Sequence, residues 1–196
     1  MNAIIIVLIS ALVCFLLTYK SIPIIEKILP DKINKRSIHN KIKARGGGIF
    51  FSTIPFFFIL TRLFYREINT FEIIYLLSYP ISLIGLIDDK LSLNKRIRFI
   101  SHIVISLLII QNSNNLVTST NIFYVSLIYF LITLTICSSI NLVNFIDGMD
   151  GMLVSCMILP FIILCINLQN PTSILLLIGC ILGFLILNWH PAKIFM

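Results

Sequence analysis

Charged residues are scarce in this chain of 196 residues, where they make up 12% of the sequence and only eight are acidic. A soluble domain is typically about one quarter charged and about half apolar. Here 58% of the residues are hydrophobic, and the mean hydropathy is +1.03. This composition excludes a soluble globular enzyme and a disordered tail. It predicts an integral membrane protein.

Two further features are missing. No Cys-x-x-Cys pair occurs, so we interpret the five cysteines, which all lie in apolar stretches, as small packing residues. Residues 1–19 lack the basic start of a signal peptide, and no small-residue cleavage site follows them. We therefore expect this first apolar run to be a retained anchor. The cysteines are Cys14, Cys137, Cys156, Cys165 and Cys180.

Long apolar runs, by contrast, are abundant. A helix needs roughly 20 mainly apolar residues to cross a bilayer. We therefore predict an all-α integral membrane fold, a polytopic bundle of about seven transmembrane helices in a single membrane domain over residues 1–196. The fourth run is the weakest, because it is short and contains His102. The runs lie at 3–19, 47–61, 71–87, 99–111, 122–140, 152–168 and 174–189.

The basic residues indicate how the runs are oriented. If all seven cross, every Lys and Arg except Arg62 and Arg66 lies in the connections on one side. Such an asymmetry marks the cytoplasmic side of a membrane protein. The net charge of +7 could otherwise suggest a nucleic-acid partner, but the basic residues are bunched between apolar runs. We therefore predict no nucleic acid and a cytoplasmic position for these connections.

Four of the eight acidic residues form two tight groups. The first, Asp88 and Asp89, ends the third apolar run. Adjacent carboxylates at a helix C-terminus repel each other and face the negative end of the helix dipole. Two interpretations stay open: the pair marks the water boundary, or a cation or a protonation event offsets the repulsion at a functional site. The basic residues that follow, at 90–98, would suit an anionic substrate.

The second group is more specific. Asn141, Asn144, Asp147 and Asp150 recur every three residues between two strongly apolar runs. Each step of three slips by about 60° around a helix, so the four cannot share one face. Either they make separate contacts, or the helix breaks near the glycines that follow the two aspartates. Carboxylates and amides suit a hard cation and phosphate oxygens, and the alternative is a plain Asp-Gly turn.

A third group precedes the second apolar run. Arg36, His39 and Arg45 lead into three consecutive glycines. Backbone amides that are free to approach an anion would suit a phosphate or a lipid head group. The alternative is the positive-inside bias alone, with attraction to anionic lipid. His39 is either a phosphate donor or a solvated loop residue.

These motifs together resemble one family. They are Arg36-Ser37-x-His39 before the triple glycine, the Asp88–Asp89 pair, Asn141-x-x-Asn144-x-x-Asp147-Gly148-x-Asp150-Gly151, and Pro191-Ala192-Lys193-Ile194-Phe195-Met196. The order is similar to that of the polyprenyl-phosphate N-acetylhexosamine-1-phosphate transferases, glycosyltransferase family 4 of the MraY/WecA type. The resemblance extends over nearly the whole chain.

The resemblance implies a reaction. A polyprenyl phosphate, expected to be undecaprenyl phosphate, would attack the β-phosphate of a UDP-N-acetylhexosamine and release UMP. The product would start a lipid-linked envelope sugar of the O-antigen, lipopolysaccharide or peptidoglycan type. The cofactor would be Mg²⁺, with Mn²⁺ as an alternative, because both reactants are anions and a divalent cation reverses the local charge. The location would be a bacterial inner (plasma) membrane, crossed several times.

The resemblance also assigns roles. The catalytic residues would be the four aspartates, with the first pair activating the lipid phosphate or contacting metal, and the second pair organising metal and nucleotide diphosphate. Metal ligands would be Asp147, Asp150 and Asp88. Substrate contacts would come from Asn141, Asn144, Arg36, His39, Arg45 and Lys193.

One departure from the family is visible. In the family, the Pro191–Met196 stretch runs directly into Gly-Asp-x-Gly-Ser, whose Asp is a metal ligand, whereas this sequence ends at Met196. We therefore expect an N-terminal part of a longer family fold, with a homodimer or a complementing C-terminal fragment as partner. One alternative is an inactive truncated remnant. The other is a small ion-coupled transporter, which would place acids near the bilayer midplane.

Overall fold

A computed structural model describes residues 2–31, 42–112, 121–146 and 149–196, without the side chains of residues 145 and 146. The predicted all-α class is confirmed, because seven helices account for most of these residues and each predicted apolar run falls in one of them to within one residue. The helices are α1 (Ala3–Ile28), α2 (Gly48–Phe64), α3 (Thr70–Leu91), α4 (Lys95–Asn112), α5 (Ile122–Ile146), α6 (Met152–Asn167) and α7 (Thr172–Asn188).

Three of the helices in the described ranges are long and apolar enough to cross a membrane: α1, α3 and the Ile122–Asn144 part of α5. Helices α2, α6 and α7 are apolar but shorter. Helix α4 belongs to neither group, and its first turn carries Lys95, Arg96 and Arg98. This agrees with the prediction that the fourth apolar run is the weakest of the seven.

The contacts divide the chain into two compact units. The first unit comprises Met1–Thr61 and Asp147–Met196, and the second comprises Arg62–Ile146. The single domain over residues 1–196 stays a prediction, and each unit is described by itself.

Helix α7 is the centre of the first unit and packs along α1. Two glycines let the two backbones touch. A Cβ built on Gly179 would overlap the Ser10 hydroxyl and lie 2.5 Å from the Val7 carbonyl oxygen, and one on Gly183 would overlap the carbonyl oxygen of Ala11. Small residues four apart are the usual device for such close packing of membrane helices. The two glycines therefore allow α1 and α7 to pack in close contact.

Two cysteines lie in this same contact. Cys14 and Cys180 are fully buried, and both carry free thiols. The Cys14 Sγ lies 3.9 Å from the Thr18 hydroxyl, and the Cys180 thiol lies 3.9 Å from the carbonyl oxygen of Ser10. The predicted packing role is confirmed for these two cysteines by their burial.

A small sheet, which the sequence did not predict, closes one end of the first unit. Strand β1 (Pro30–Asp31) pairs antiparallel with β2 (Lys43–Ala44), and Ala44 forms a parallel bridge with Ile194. Both bridged side chains are buried. The sheet therefore ties the loop before α2 to the segment after α7.

The second unit places α4 against α3 and α5. Helix α3 begins with a capping box, in which the Asn69 side chain accepts from the Glu72 amide and the Glu72 carboxylate accepts from the Asn69 amide. The Glu72 side chain is fully buried, and its Oε1 lies 2.7 Å from Nε of Arg62. The cap and the buried ion pair together fix the turn between α2 and α3.

Candidate functional site

The motif that contains Asp147 and Asp150 lies where one helix ends and the next begins. Helix α5 ends at Ile146, and α6 begins at Met152 after Gly151, whose φ of +70° is in the left-handed region. Of the two sequence alternatives, a break of the helix near the glycines is therefore confirmed. Asn141 and Asn144 lie exposed in the last turns of α5, and Asp147 lies outside the described residues.

Asp150 joins this break to the segment that follows α7. Its Oδ2 accepts a hydrogen bond from the Ala192 amide at 2.9 Å and lies 3.1 Å from Nδ1 of His190. The carboxylate is 20% exposed, whereas the imidazole is 78% exposed. Two sequence motifs that stand 42 positions apart are thus in direct contact.

Asn188 makes the second connection between the same two segments. Its Oδ1 accepts from the Gly151 amide at 3.0 Å, and its Nδ2 donates to the Ile194 carbonyl at 2.9 Å. The side chain is 5% exposed, so both bonds are shielded from water. Sequence reasoning missed both Asn188 and His190. The sequence contains one indication of both residues: they are polar, and they lie at the end of an apolar run directly before the Pro191 motif.

The triple glycine packs against the segment that follows α7. The Gly47 amide donates to the Phe195 carbonyl at 2.8 Å, and the Phe195 amide donates to the Ala44 carbonyl at 2.8 Å. A Cβ on Gly47 would lie 2.6 Å from the ring of Phe184 and 2.9 Å from Ile194. Gly47 therefore permits close backbone packing here.

Three cations share the outer face of the sheet, and we name Lys43, Arg45 and Lys193 the basic face. Side chains alternate along a strand, and the paired Ala44 and Ile194 point inward, so their neighbours point outward. The Arg45 and Lys193 side chains are exposed. The Nζ of Lys43 lies 4.9 Å from the ring centre of an aromatic neighbour, Phe195. Arg36 and His39, which the sequence grouped with Arg45, lie outside the described residues.

Asp88 has a different environment, in the last turn of α3. Its Oδ1 accepts from the Leu93 amide at 2.8 Å, and its Oδ2 accepts from Nη1 of Arg98 at 2.7 Å. Ser92 adopts a left-handed conformation with φ of +49°. Asp88 thus fixes the turn into α4, and the Arg98 guanidinium supplies a positive charge beside it. Asp89 lies beside Asp88 in the same turn. The two interpretations of the aspartate pair, a water boundary or a functional site, both stay open.

The described residues alone do not assemble a magnesium site. Among them, no three His, Cys, Asp or Glu side chains come together. Protein donors occupy both oxygens of Asp88 and Oδ2 of Asp150. The metal roles of Asp88, Asp147 and Asp150 therefore stay predictions. Asp88 lies in the last turn of α3, and Asp150 lies directly before α6, whereas the transporter alternative predicts acids near the bilayer midplane.

Comparison with known proteins identifies relatives of two related kinds. The Phospho-N-acetylmuramoyl-pentapeptide-transferase of Prochlorococcus marinus (strain NATL2A) is 32% identical, over 96% of this chain and 59% of the relative. The Probable undecaprenyl-phosphate N-acetylglucosaminyl 1-phosphate transferase of Bacillus subtilis (strain 168) is 27% identical, over 89% of this chain and 53% of the relative. The chain thus spans little more than half the length of these relatives.

A family model gives a matching family assignment over the second part of the chain. The model of Glycosyl transferase family 4 matches residues 71–196, which is more than half of the chain. The relatives are membrane enzymes, and the helices of this chain agree with them, so it is an all-α membrane protein. The chain belongs to glycosyl transferase family 4.

Proposed function

We propose that this chain takes part in the transfer of an N-acetylhexosamine-1-phosphate from a UDP-sugar to a polyprenyl phosphate, with release of UMP, in cell-envelope synthesis. The names of the relatives support this proposal, because one is a phospho-N-acetylmuramoyl-pentapeptide transferase and the other a probable N-acetylglucosaminyl 1-phosphate transferase that uses undecaprenyl phosphate. The proposed setting is a bacterial inner membrane, with the motifs on its cytoplasmic side.

The contact between Asp150 and the Ala192 amide carries the proposal. It joins two motifs of the family resemblance at one end of the first unit. Lys193, the next residue, belongs to the basic face together with Arg45. Charged donors that surround phosphate oxygens form strong hydrogen bonds. The arrangement therefore offers cations and polar groups together, as the binding of a diphosphate requires.

The proposed chemistry follows from where the reactants reside. A polyprenyl tail stays in lipid and a nucleotide stays in water, so the two phosphates would meet at the membrane surface. An oxygen of the lipid phosphate attacks the β-phosphorus of the UDP-sugar. The new bond joins that oxygen to the β-phosphorus, the bond from the β-phosphorus to the bridging oxygen breaks, and UMP leaves.

Several of the predicted residues have a place in this proposal. Arg45 and Lys193 would reduce the repulsion between the two anions by contacting phosphate oxygens. Asn141 and Asn144 would offer amides from the last turns of α5. A divalent cation, Mg²⁺ or Mn²⁺, would supply Lewis-acid stabilisation of the transferring group, with Asp147, Asp150 and Asp88 as its proposed ligands.

The test measures UMP release by membranes that contain the chain, supplied with undecaprenyl phosphate, Mg²⁺ and either UDP-N-acetylglucosamine or UDP-N-acetylmuramoyl-pentapeptide. A second arm adds the C-terminal half of the Bacillus subtilis relative. We expect UMP in at least one arm, and the preferred nucleotide identifies the sugar. Asp147→Asn should abolish the release, whereas Glu67→Gln, at an acid that is 69% exposed in the second unit, should not. No UMP in either arm would favour the inactive remnant.

A further inference from the structure

His190 is a polar residue that the proposed reaction does not yet use. It follows α7 directly, its imidazole is largely exposed, and its Nδ1 lies 3.1 Å from Oδ2 of Asp150. Its other nitrogen, Nε2, has no protein partner within the described part of the chain. One side of the ring is therefore held by the protein, and the other is open to a ligand.

The carboxylate that holds the ring is itself fixed. The same Asp150 oxygen accepts a hydrogen bond from the Ala192 amide, so its position depends on backbone as well as on the imidazole. The bonds of Asn188 to Gly151 and Ile194 tie the same two segments together on the buried side. A carboxylate bound to one imidazole nitrogen sets the orientation of the ring and the direction in which the second nitrogen points.

We propose that Asp150 is a positioning residue for His190, and that Nε2 of His190 binds a phosphoryl oxygen of a substrate. The inference rests on the proposed function, which brings two phosphate-bearing molecules to this surface. In the bound state Nδ1 keeps its contact with the carboxylate, and Nε2 contacts the phosphoryl oxygen. Lys193, three residues further along, places a cation of the basic face on the same segment. The oxygen belongs to the nucleotide diphosphate or to the lipid phosphate.

The chain carries its own reporter for this contact. Trp189 is its single tryptophan and directly precedes His190. Its ring packs against the start of α6, since its Cε3 would lie 3.3 Å from a Cβ on Gly151. A ligand at His190 should therefore change the tryptophan fluorescence. We would titrate the full chain in lipid nanodiscs with inorganic pyrophosphate, which does not absorb in the tryptophan range, and with UDP. In a separate arm, undecaprenyl phosphate is incorporated in the nanodisc.

Two variants separate the two nitrogens of the ring. His190→Asn keeps a polar atom near the position of Nδ1 but removes Nε2, whereas His190→Gln keeps an amide near the position of Nε2. Loss of a hydrogen bond to a charged group should raise the Kd for pyrophosphate by about tenfold to a hundredfold in the asparagine variant. The glutamine variant should show a smaller increase. Lys27→Gln, which removes a charge elsewhere in the first unit, should bind as the unchanged chain does.

Each outcome decides the inference. Unchanged pyrophosphate and lipid-phosphate binding by His190→Asn would overturn it. Equal weakening in both variants, together with a lower unfolding temperature, would show that His190 only fastens the two segments, and would overturn it as well. An effect confined to UDP and pyrophosphate would assign the oxygen to the nucleotide, and one confined to undecaprenyl phosphate would assign it to the lipid. If the unchanged chain binds none of the three probes, the inference is overturned, whereas UMP release in either arm of the transfer assay would still support the proposed function.

Discussion

Replacement of Gly179 by alanine tests the packing on which the first unit depends. The added methyl would overlap the Ser10 hydroxyl and lie 2.5 Å from the Val7 carbonyl oxygen. The hydroxyl can turn away, but the carbonyl belongs to the backbone of α1 and cannot. The two helices must therefore move apart, and the fully buried Cys14 and Cys180 between them lose contacts.

The expected cost follows from two opposing terms. Overpacking of a tight contact costs about 1–3 kcal/mol. Exchange of glycine for alanine inside a helix stabilises the folded state by about 1 kcal/mol, because alanine has the higher helix propensity. We therefore expect Gly179→Ala to lower the free energy of unfolding by up to about 2 kcal/mol. Gly85→Ala is the matched control, because a Cβ at that position in α3 would meet no described atom within 4 Å apart from its chain neighbours and its own helix backbone. It should be neutral or stabilising by up to about 1 kcal/mol.

Two measurements check this prediction in detergent or nanodiscs. Thermal unfolding followed by circular dichroism ranks the two variants against the unchanged chain. Maleimide labelling, with the modified cysteine identified by mass spectrometry, reports local opening at Cys14 and Cys180. Gly179→Ala should lower the unfolding temperature and accelerate labelling at these two sites, and Gly85→Ala should do neither. Equal unfolding temperatures for the two variants would refute the close approach of α1 and α7.

Three further predictions concern buried or partly buried polar groups. Asn188→Leu should lower the free energy of unfolding by about 1–3 kcal/mol for each of the two backbone groups that it satisfies, measured by thermal unfolding. Arg62→Met should cost about 3–5 kcal/mol, because it removes the guanidinium from the buried Glu72 carboxylate, whereas Glu67→Gln at the exposed partner of the same arginine should stay within about 0.5 kcal/mol. Asp88→Asn should cost about 1 kcal/mol or less, since its ion pair is partly exposed, and should reduce UMP release by about a hundredfold or more. A loss of UMP release that only follows the loss of folded protein would make Asp88 structural.

The positions of the helices could be predicted because apolar runs are a direct property of the sequence. The lengths of the helices could not be predicted. The first run was predicted at 3–19, yet α1 continues through Pro23 to Ile28, and α5 continues past residue 140 to Ile146. An apolar run measures the part of a helix that lies in lipid, whereas backbone hydrogen bonding continues into the polar region. For this reason Asn141 and Asn144, which lie beyond the end of the fifth predicted run, are on a helix.

The small sheet could not be predicted for a different reason. Strands β1 and β2 have two residues each, and the bridge from Ala44 to Ile194 joins positions far apart in the sequence. No hydrophobic periodicity develops over two residues. Such pairing arises only after α1 and α7 have brought the two segments together, so it depends on tertiary contacts.

In the candidate site, the charged residues could be predicted from the sequence, whereas a neutral residue that positions them could not. Asp88 and Asp150 could be predicted as site residues, because charged residues are rare in an apolar chain. Asn188 could not, because a neutral amide at the end of an apolar run has no distinctive pattern. Yet Asn188 holds the Gly151 amide and the Ile194 carbonyl, and so keeps the surroundings of Asp150 in place. Charge in the sequence thus identifies groups that can meet a substrate. The neutral residues that position these groups satisfy backbone hydrogen bonds, and they become visible only when the fold shows which backbone groups need a partner.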